Sequence, residues 1–167
     1  SATFDEVGQL TASFLLLKRG TNDYDIGHPP LIRSLFAVPL AIADPAFPTG
    51  LALPPATREF PVPQQSINQL YVYGAHFLYG NRVKAETLIF LPRLVNILLA
   101  CLLGFWIFKC SKRLYGPAAG TLSLAFFAFC PNLIAHGSLI TTDLGGAAFA
   151  VGFLYSLSLL FEKNTAG

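Results

Sequence analysis

The sequence predicts an all-α membrane protein, and three observations lead there. Hydrophobic residues fill 53% of the 167 positions and charged residues only 12%, about half the roughly 25% usual in a soluble domain. Beyond residue 84 lie three apolar runs, about 85–108, 117–140 and 144–161, each near the ~20 residues that a helix needs to cross a bilayer. A short polar island, residues 135–143, ending in Asp143, stands between the apolar stretches 118–129 and 144–161. A carboxylate at the rim of a membrane-length segment is costly to keep without a use, so it reads as a site. Mean hydropathy is +0.55.

Residues 3–19 form the first expected helix. Phe4, Val7, Leu10, Phe14 and Leu17 fall near helical spacing, and Thr3-Phe4-Asp5-Glu6 has the form of a capping box. Asp5 in the first turn suits the helix dipole. A turn-rich loop follows, Gly20 to Pro30, in which consecutive prolines hold His28 and Pro29 extended. Pro30 then opens a helix over about 31–42, with Leu31, Ile32, Leu35 and Phe36 on one face. It is too short to span, so its expected place is the membrane interface. Six prolines between 44 and 63 make an irregular loop. From Ser66, Ile67, Leu70, Tyr71, Gly74, Phe77 and Leu78 predict another interfacial helix, with Tyr71, Tyr73, Phe77 and Tyr79 suited to the headgroup belt.

The span 85–108 is followed by Lys109, Lys112 and Arg113, a cationic cluster that marks a cytoplasmic end. Residues 1–84 are then an outer loop and 85–167 the transmembrane region. The chain returns outward through 117–140, with Pro131 ending or kinking the helix. It re-enters through 144–161, where Glu162 and Lys163 meet the cytoplasm. Asp5, Glu6, Asp25, His28 and Asp143 thereby face one outer compartment. The chain opens without Met and closes soon after an apolar run. It is therefore expected to be a piece of a longer polytopic protein, with at least one span before it and several after.

The ordered set Asp5-Glu6, His28-Pro29-Pro30-Leu31, Pro92-Arg93-Leu94, Tyr115-Gly116-Pro117-Ala118-Ala119-Gly120 and residues 131–143 resembles the amino-terminal third of GT-C type glycosyltransferases that use polyprenyl-phosphate sugars. These include the aminoarabinose transferases of lipid A and the protein O-mannosyltransferases. The resemblance implies a GT-C type helical bundle in a bacterial inner membrane, with its site facing the periplasm or exterior. Such an enzyme moves a sugar from an isoprenoid phosphate to an acceptor protein or glycolipid and inverts the anomeric centre. Asp5 then matches the family's catalytic base. Asp143 matches a second acid that shapes the site or holds a cation. Many relatives carry an acid immediately before His-Pro-Pro, where this chain has Gly27, and Asp25 lies two residues earlier.

The chemistry needs a base for the acceptor hydroxyl and a positive group for the departing phosphate. A carboxylate within hydrogen-bond reach of the hydroxyl supplies the first, and Asp5 is the choice. Glu6 points about 100° around the helix and caps or orients. Asp143, with Asp25, offers hard oxygen ligands for a divalent cation, Mg²⁺ or Mn²⁺. His28 and His136 are candidates to complete such a site or to bind substrate. Arg93 lies roughly 12 Å into its span at 1.5 Å per residue. At that depth it needs an anion: the donor's phosphate, Asp143, or Glu86 two turns away. Arg33 and Arg82 read as headgroup contacts. Gly145, Gly146 and Gly152 read as helix-packing positions rather than a phosphate cradle.

A net charge of +2 without a basic run gives no footprint for nucleic acid. Cys101, Cys110 and Cys130 have no paired spacing and read as small hydrophobes, which also argues against a soluble redox protein. The rival is a non-catalytic membrane protein that binds or transports a lipid-linked sugar. A transporter would hold its carboxylates within the spans, whereas these collect on outer loops and rims.

Overall fold

The computed structural model describes residues 2–56 and 61–165, with side chains to residue 162. Among them the chain is all helix: α1 (Phe4–Arg19), α2 (Pro30–Ala43), α3 (Gln64–Tyr79), α4 (Ala85–Tyr115), α5 (Pro117–Ala128), α6 (Pro131–Gly137) and α7 (Asp143–Thr165). It divides into two compact units: residues 1–95 with 139–142, and residues 96–138 with 143–167. The division falls inside α4, after Val95.

In the first unit, α1 is the central helix, packed against both α2 and α3. Its residues from Gly8 to Leu15 are buried on every side, so it is not the one-sided amphipathic helix that its spacing suggests. Leu10 and Phe14 are fully enclosed, while Phe4 and Leu17 of the expected face stay exposed. The hydroxyls this burial strands are satisfied locally: Thr11 donates to the Val7 carbonyl at 2.6 Å and Ser13 to that of Gln9 at 2.7 Å. α2 contributes Ile32, Phe36 and Leu40 to the core, and α3 contributes Leu70, Tyr73, Phe77 and Leu78. The i, i+4 spacing of the first set is that of a packed helical face. Phe77 stacks on Phe14 with ring centres 4.4 Å apart. Tyr73 and Phe77 are thus core residues, and of the expected aromatic belt only Tyr79 is well exposed. α1 and α3 approach closely because position 74 is glycine: a Cβ there would lie 2.4 Å from the Thr11 hydroxyl and 3.1 Å from the Val7 carbonyl oxygen.

The second unit holds the rest of α4 with α5, α6 and α7. Leu103, Leu144 and Ala148 form its core, with Ile107, Phe127, Leu133 and Val151 packed around them. A Cβ at Gly152 would meet the Trp106 ring at 2.7 Å, and one at Gly146 would meet nothing within 4 Å. Close packing therefore explains the first glycine and not the second. α4 extends past residue 108, so the cationic cluster completes its last turns instead of following it. Arg113 pairs with Glu162 and covers the Tyr155 ring.

Among the described residues, two helices are long and apolar enough to cross a membrane, α4 and α7, the latter over Asp143–Glu162. The run 117–140 is not one straight span. α5 and α6 meet at a 66° bend, because Pro131 removes a backbone donor and holds Cys130 extended at φ −73°, ψ 116°. Counted as one broken span, the pair brings the total to three. Large apolar side chains remain exposed along α4 and α7, among them Phe90, Leu98, Phe105, Phe153 and Leu160. Such surface suits hydrocarbon rather than water.

Candidate functional site

The first unit carries a polar centre built on Glu6. One turn into α1, its carboxylate is fully buried, and donors from three separate stretches meet it. Arg93 of α4 binds it side-on, Nε to Oε1 and Nη2 to Oε2, both at 2.7 Å. The Thr3 amide reaches Oε2 at 2.9 Å and the Thr3 hydroxyl reaches the same oxygen at 3.1 Å. The Ile140 amide donates to Oε1 at 3.0 Å. The capping role expected of Glu6 is present, and it is one of several. Arg93's carboxylate partner is Glu6 rather than Glu86. Burial pushes the Glu6 carboxyl up, but its hydrogen bonds from Arg93, Thr3 and Ile140 and the guanidinium charge outweigh that and hold it below its ordinary value.

A second polar cluster fixes the loop after α1. Arg33 is fully buried, which corrects its reading as a headgroup contact. Its guanidinium pairs with the Asp25 carboxylate and bonds the Asp25 carbonyl, and it donates to Asn22 Oδ1 at 3.0 Å and Gln9 Oε1 at 3.3 Å. His28 Nδ1 lies 3.2 and 3.1 Å from the two Asp25 carboxylate oxygens. Burial raises the Asp25 carboxyl, and the His28 hydrogen bond with the Arg33 charge bring it below its usual value. Arg82, the other expected headgroup contact, sits on Asp44, 2.7 Å away, with Lys18 at 3.0 Å on the same residue.

Asp5 is exposed beside Glu6. The Phe4 ring stacks on Tyr71 with centres 4.1 Å apart. Burial, then the negative charges of Asp5 and Asp25, push the Tyr71 phenol up to about 12. The two acids therefore act on one hydroxyl. Five of the expected site residues, Asp5, Glu6, Asp25, His28 and Arg93, lie in this unit. Arg93 also lines a cavity of about 360 Å³ with Glu86, Ile89, Phe90, Leu78, Tyr79, Ala2 and Ala85. Its lining is mostly apolar, with the Arg93 guanidinium, the Glu86 carboxylate and the Tyr79 phenol as its polar side chains.

Asp143 and His136 belong to the second unit, where both are exposed. Asp143 opens α7, and the His136 carbonyl accepts from Asn96 Nδ2 at 2.8 Å. The residues just before Asp143, 139–142, belong to the first unit. Among the described residues, no three His, Cys, Asp or Glu side chains gather as a metal-binding group.

The sequence did not single out Tyr71, Gln9 or Asn22 as parts of this centre. Tyr71 sits among other aromatics of one helix, and the partners of Gln9 and Asn22 are up to 24 residues away.

Because both Glu6 and Asp25 titrate lower in the folded chain than unfolded, their stabilisation is present above the ordinary carboxylate range and is lost as pH falls through it toward the lowered folded values. The melting temperature of the detergent-solubilised chain is expected to hold from pH 8 down to about 5 and to fall below about pH 4. The Asp25→Asn variant should lose less on acidification than the parent. Equal losses would show that Asp25 carries none of the effect.

A family model described as dolichyl-phosphate-mannose-protein mannosyltransferase matches residues 79–167. No curated protein and no solved structure matches the chain.

Proposed function

Since the chain belongs to the dolichyl-phosphate-mannose-protein mannosyltransferase family, we propose that it transfers a sugar from a polyprenyl-phosphate donor to a hydroxyl acceptor on the extracytoplasmic face of a membrane, with inversion. At the coarser level, it is an integral membrane protein of a glycosyltransferase family that uses lipid-linked sugars, and its all-helical architecture is that of a partial GT-C type bundle. The finer steps rest on the polar centre of the first unit, where one carboxylate of an adjacent pair is saturated and the other is exposed.

Glu6 has no capacity left for a substrate proton. Both its oxygens are occupied, and its lowered pKa makes it a poor base. Asp5, one residue away and open, takes the acceptor's hydroxyl proton. The acceptor oxygen then bonds the anomeric carbon, the bond from that carbon to the phosphate oxygen breaks, and the polyprenyl phosphate departs with the electron pair. A single displacement of this kind inverts the centre. The apolar cavity lined by Arg93 suits an isoprenoid chain whose phosphate meets a guanidinium. Glu6 holds Arg93 in place for that contact. His28 is a substrate contact in the same unit, and Asp143, which opens α7, and His136 are the acid and the imidazole that the second unit offers. Lys109, Lys112 and Arg113 at the end of α4 support an inner-membrane protein with residues 1–84 outside.

The test follows radiolabelled polyprenyl-phosphate sugar in membranes carrying the complete protein. Consumption of the lipid-linked sugar, with label appearing on protein or glycolipid, is expected. Binding of the donor without any consumption would favour the lipid-sugar-binding alternative and defeat the transferase assignment. Extraction into organic solvent separates the two acceptor classes.

A further inference from the structure

The loop that carries His28 is built around an internal cation. The Asp25 carboxylate is held by the guanidinium of Arg33, which has no exposed surface. Both Asp25 oxygens also lie within 3.2 Å of His28 Nδ1. A carboxylate engaged this way has little left for a metal ion, and its negative charge is already neutralised at contact distance. His28 is oriented as a metal-binding imidazole would be, with Nδ1 facing an acid. Yet one ring nitrogen is a single donor, where catalytic zinc sites use three protein ligands and Mg²⁺ relies on carboxylates. Position 27, where the resembling family carries an acid, is glycine here and adds no oxygen. A Cβ at Gly27 would come 3.6 Å from Asp25 Oδ1, an ordinary contact. The backbone at position 27 therefore tolerates a side chain's first carbon beside Asp25.

We propose that this loop works without a bound divalent cation, the buried guanidinium of Arg33 supplying the fixed positive charge that orders Asp25 and His28. Arg33 is permanently protonated under any physiological condition, so the loop's order does not depend on metal supply. Its order does depend on the α1–α2 packing that buries Arg33 against Gln9. The role of this loop in sugar transfer rests on the transferase assignment; the absence of a cation site does not.

Two measurements on the complete protein in detergent test the inference. Metal content by plasma mass spectrometry and calorimetric titration with Zn²⁺ and Mn²⁺ should give no stoichiometric binding for the parent chain. The Gly27→Glu variant should bind one equivalent, lost again when His28→Ala is added. Where turnover is measurable, EDTA should change the parent's rate by less than about twofold, in contrast to the collapse expected of a metal-assisted site. A parent chain that binds one equivalent of metal, sensitive to His28→Ala, overturns the proposal. Loss of turnover in EDTA with recovery on adding back a cation also overturns it. Failure of Gly27→Glu to gain binding would show that position 27 is not what withholds a metal. A protein with no transferase activity would defeat the assignment of function and leave the metal titrations standing on their own.

Discussion

Asp5→Asn is expected to abolish sugar transfer by the complete protein while leaving membrane insertion and folding intact. The substitution keeps the shape of the side chain and removes its charge. Asp5 is exposed and its hydrogen-bond partner is the Tyr71 hydroxyl, which an amide oxygen can still accept from, so the stability cost should be within about 0.5 kcal/mol, as at other surface positions. What disappears is the group that accepts the hydroxyl proton, a contribution of about 10²- to 10⁴-fold in rate. The readout is the initial rate of lipid-linked sugar consumption in membranes, with the amount of inserted protein held equal. A rate within a few-fold of the parent would remove Asp5 from the role of base. Donor binding should survive the change, since the cavity lined by Arg93 does not include Asp5.

Glu6→Ala should do the opposite and break the fold of the first unit. It would leave the Arg93 guanidinium, the Thr3 amide and the Ile140 amide without the oxygens that now receive them. Removing one partner of a buried ion pair costs about 3–5 kcal/mol. That is a large part of the 5–15 kcal/mol typical of a whole domain. Arg93→Ala should cost less, because part of its side chain is exposed while that of Glu6 is not. The double variant should cost less than the sum of the two, the difference measuring their coupling. Thermal melting in detergent gives all three values. Strict additivity would mean that the pair contributes nothing beyond its separate contacts with the backbone.

Much of this architecture was legible in the residues. The helix starts at Phe4, Pro30 and Ala85 follow from a capping box, a proline at the first helical position and the return of an unbroken apolar run. The break at Pro131 follows from chemistry that proline cannot escape. The centre on Glu6 was legible only in part. Its hydrogen bond to Thr3 is written in four consecutive residues, but the bonds from Arg93 and Ile140 cross 87 and 134 residues. Periodicity carries no signal over such distances. Arg33 shows the same limit. Next to a proline-rich loop and on a short apolar helix it reads as an interface residue, and only the packing of α2 on α1 decides that it is buried.

The sequence by itself determined that the chain is helical, that it belongs in a membrane, and that Asp5 and Glu6 stand together in the first turn of α1. Composition, apolar run length and capping are local properties, each settled within about 20 residues. Which of the two acids is exposed and which is saturated was decided by tertiary structure alone. That outcome depends on whose donors arrive. Burial makes the arrival decisive, because a carboxylate out of water must be met by hydrogen bonds and positive charge. α4 and the segment before Asp143 deliver theirs to Glu6, and Asp5 is left facing outward.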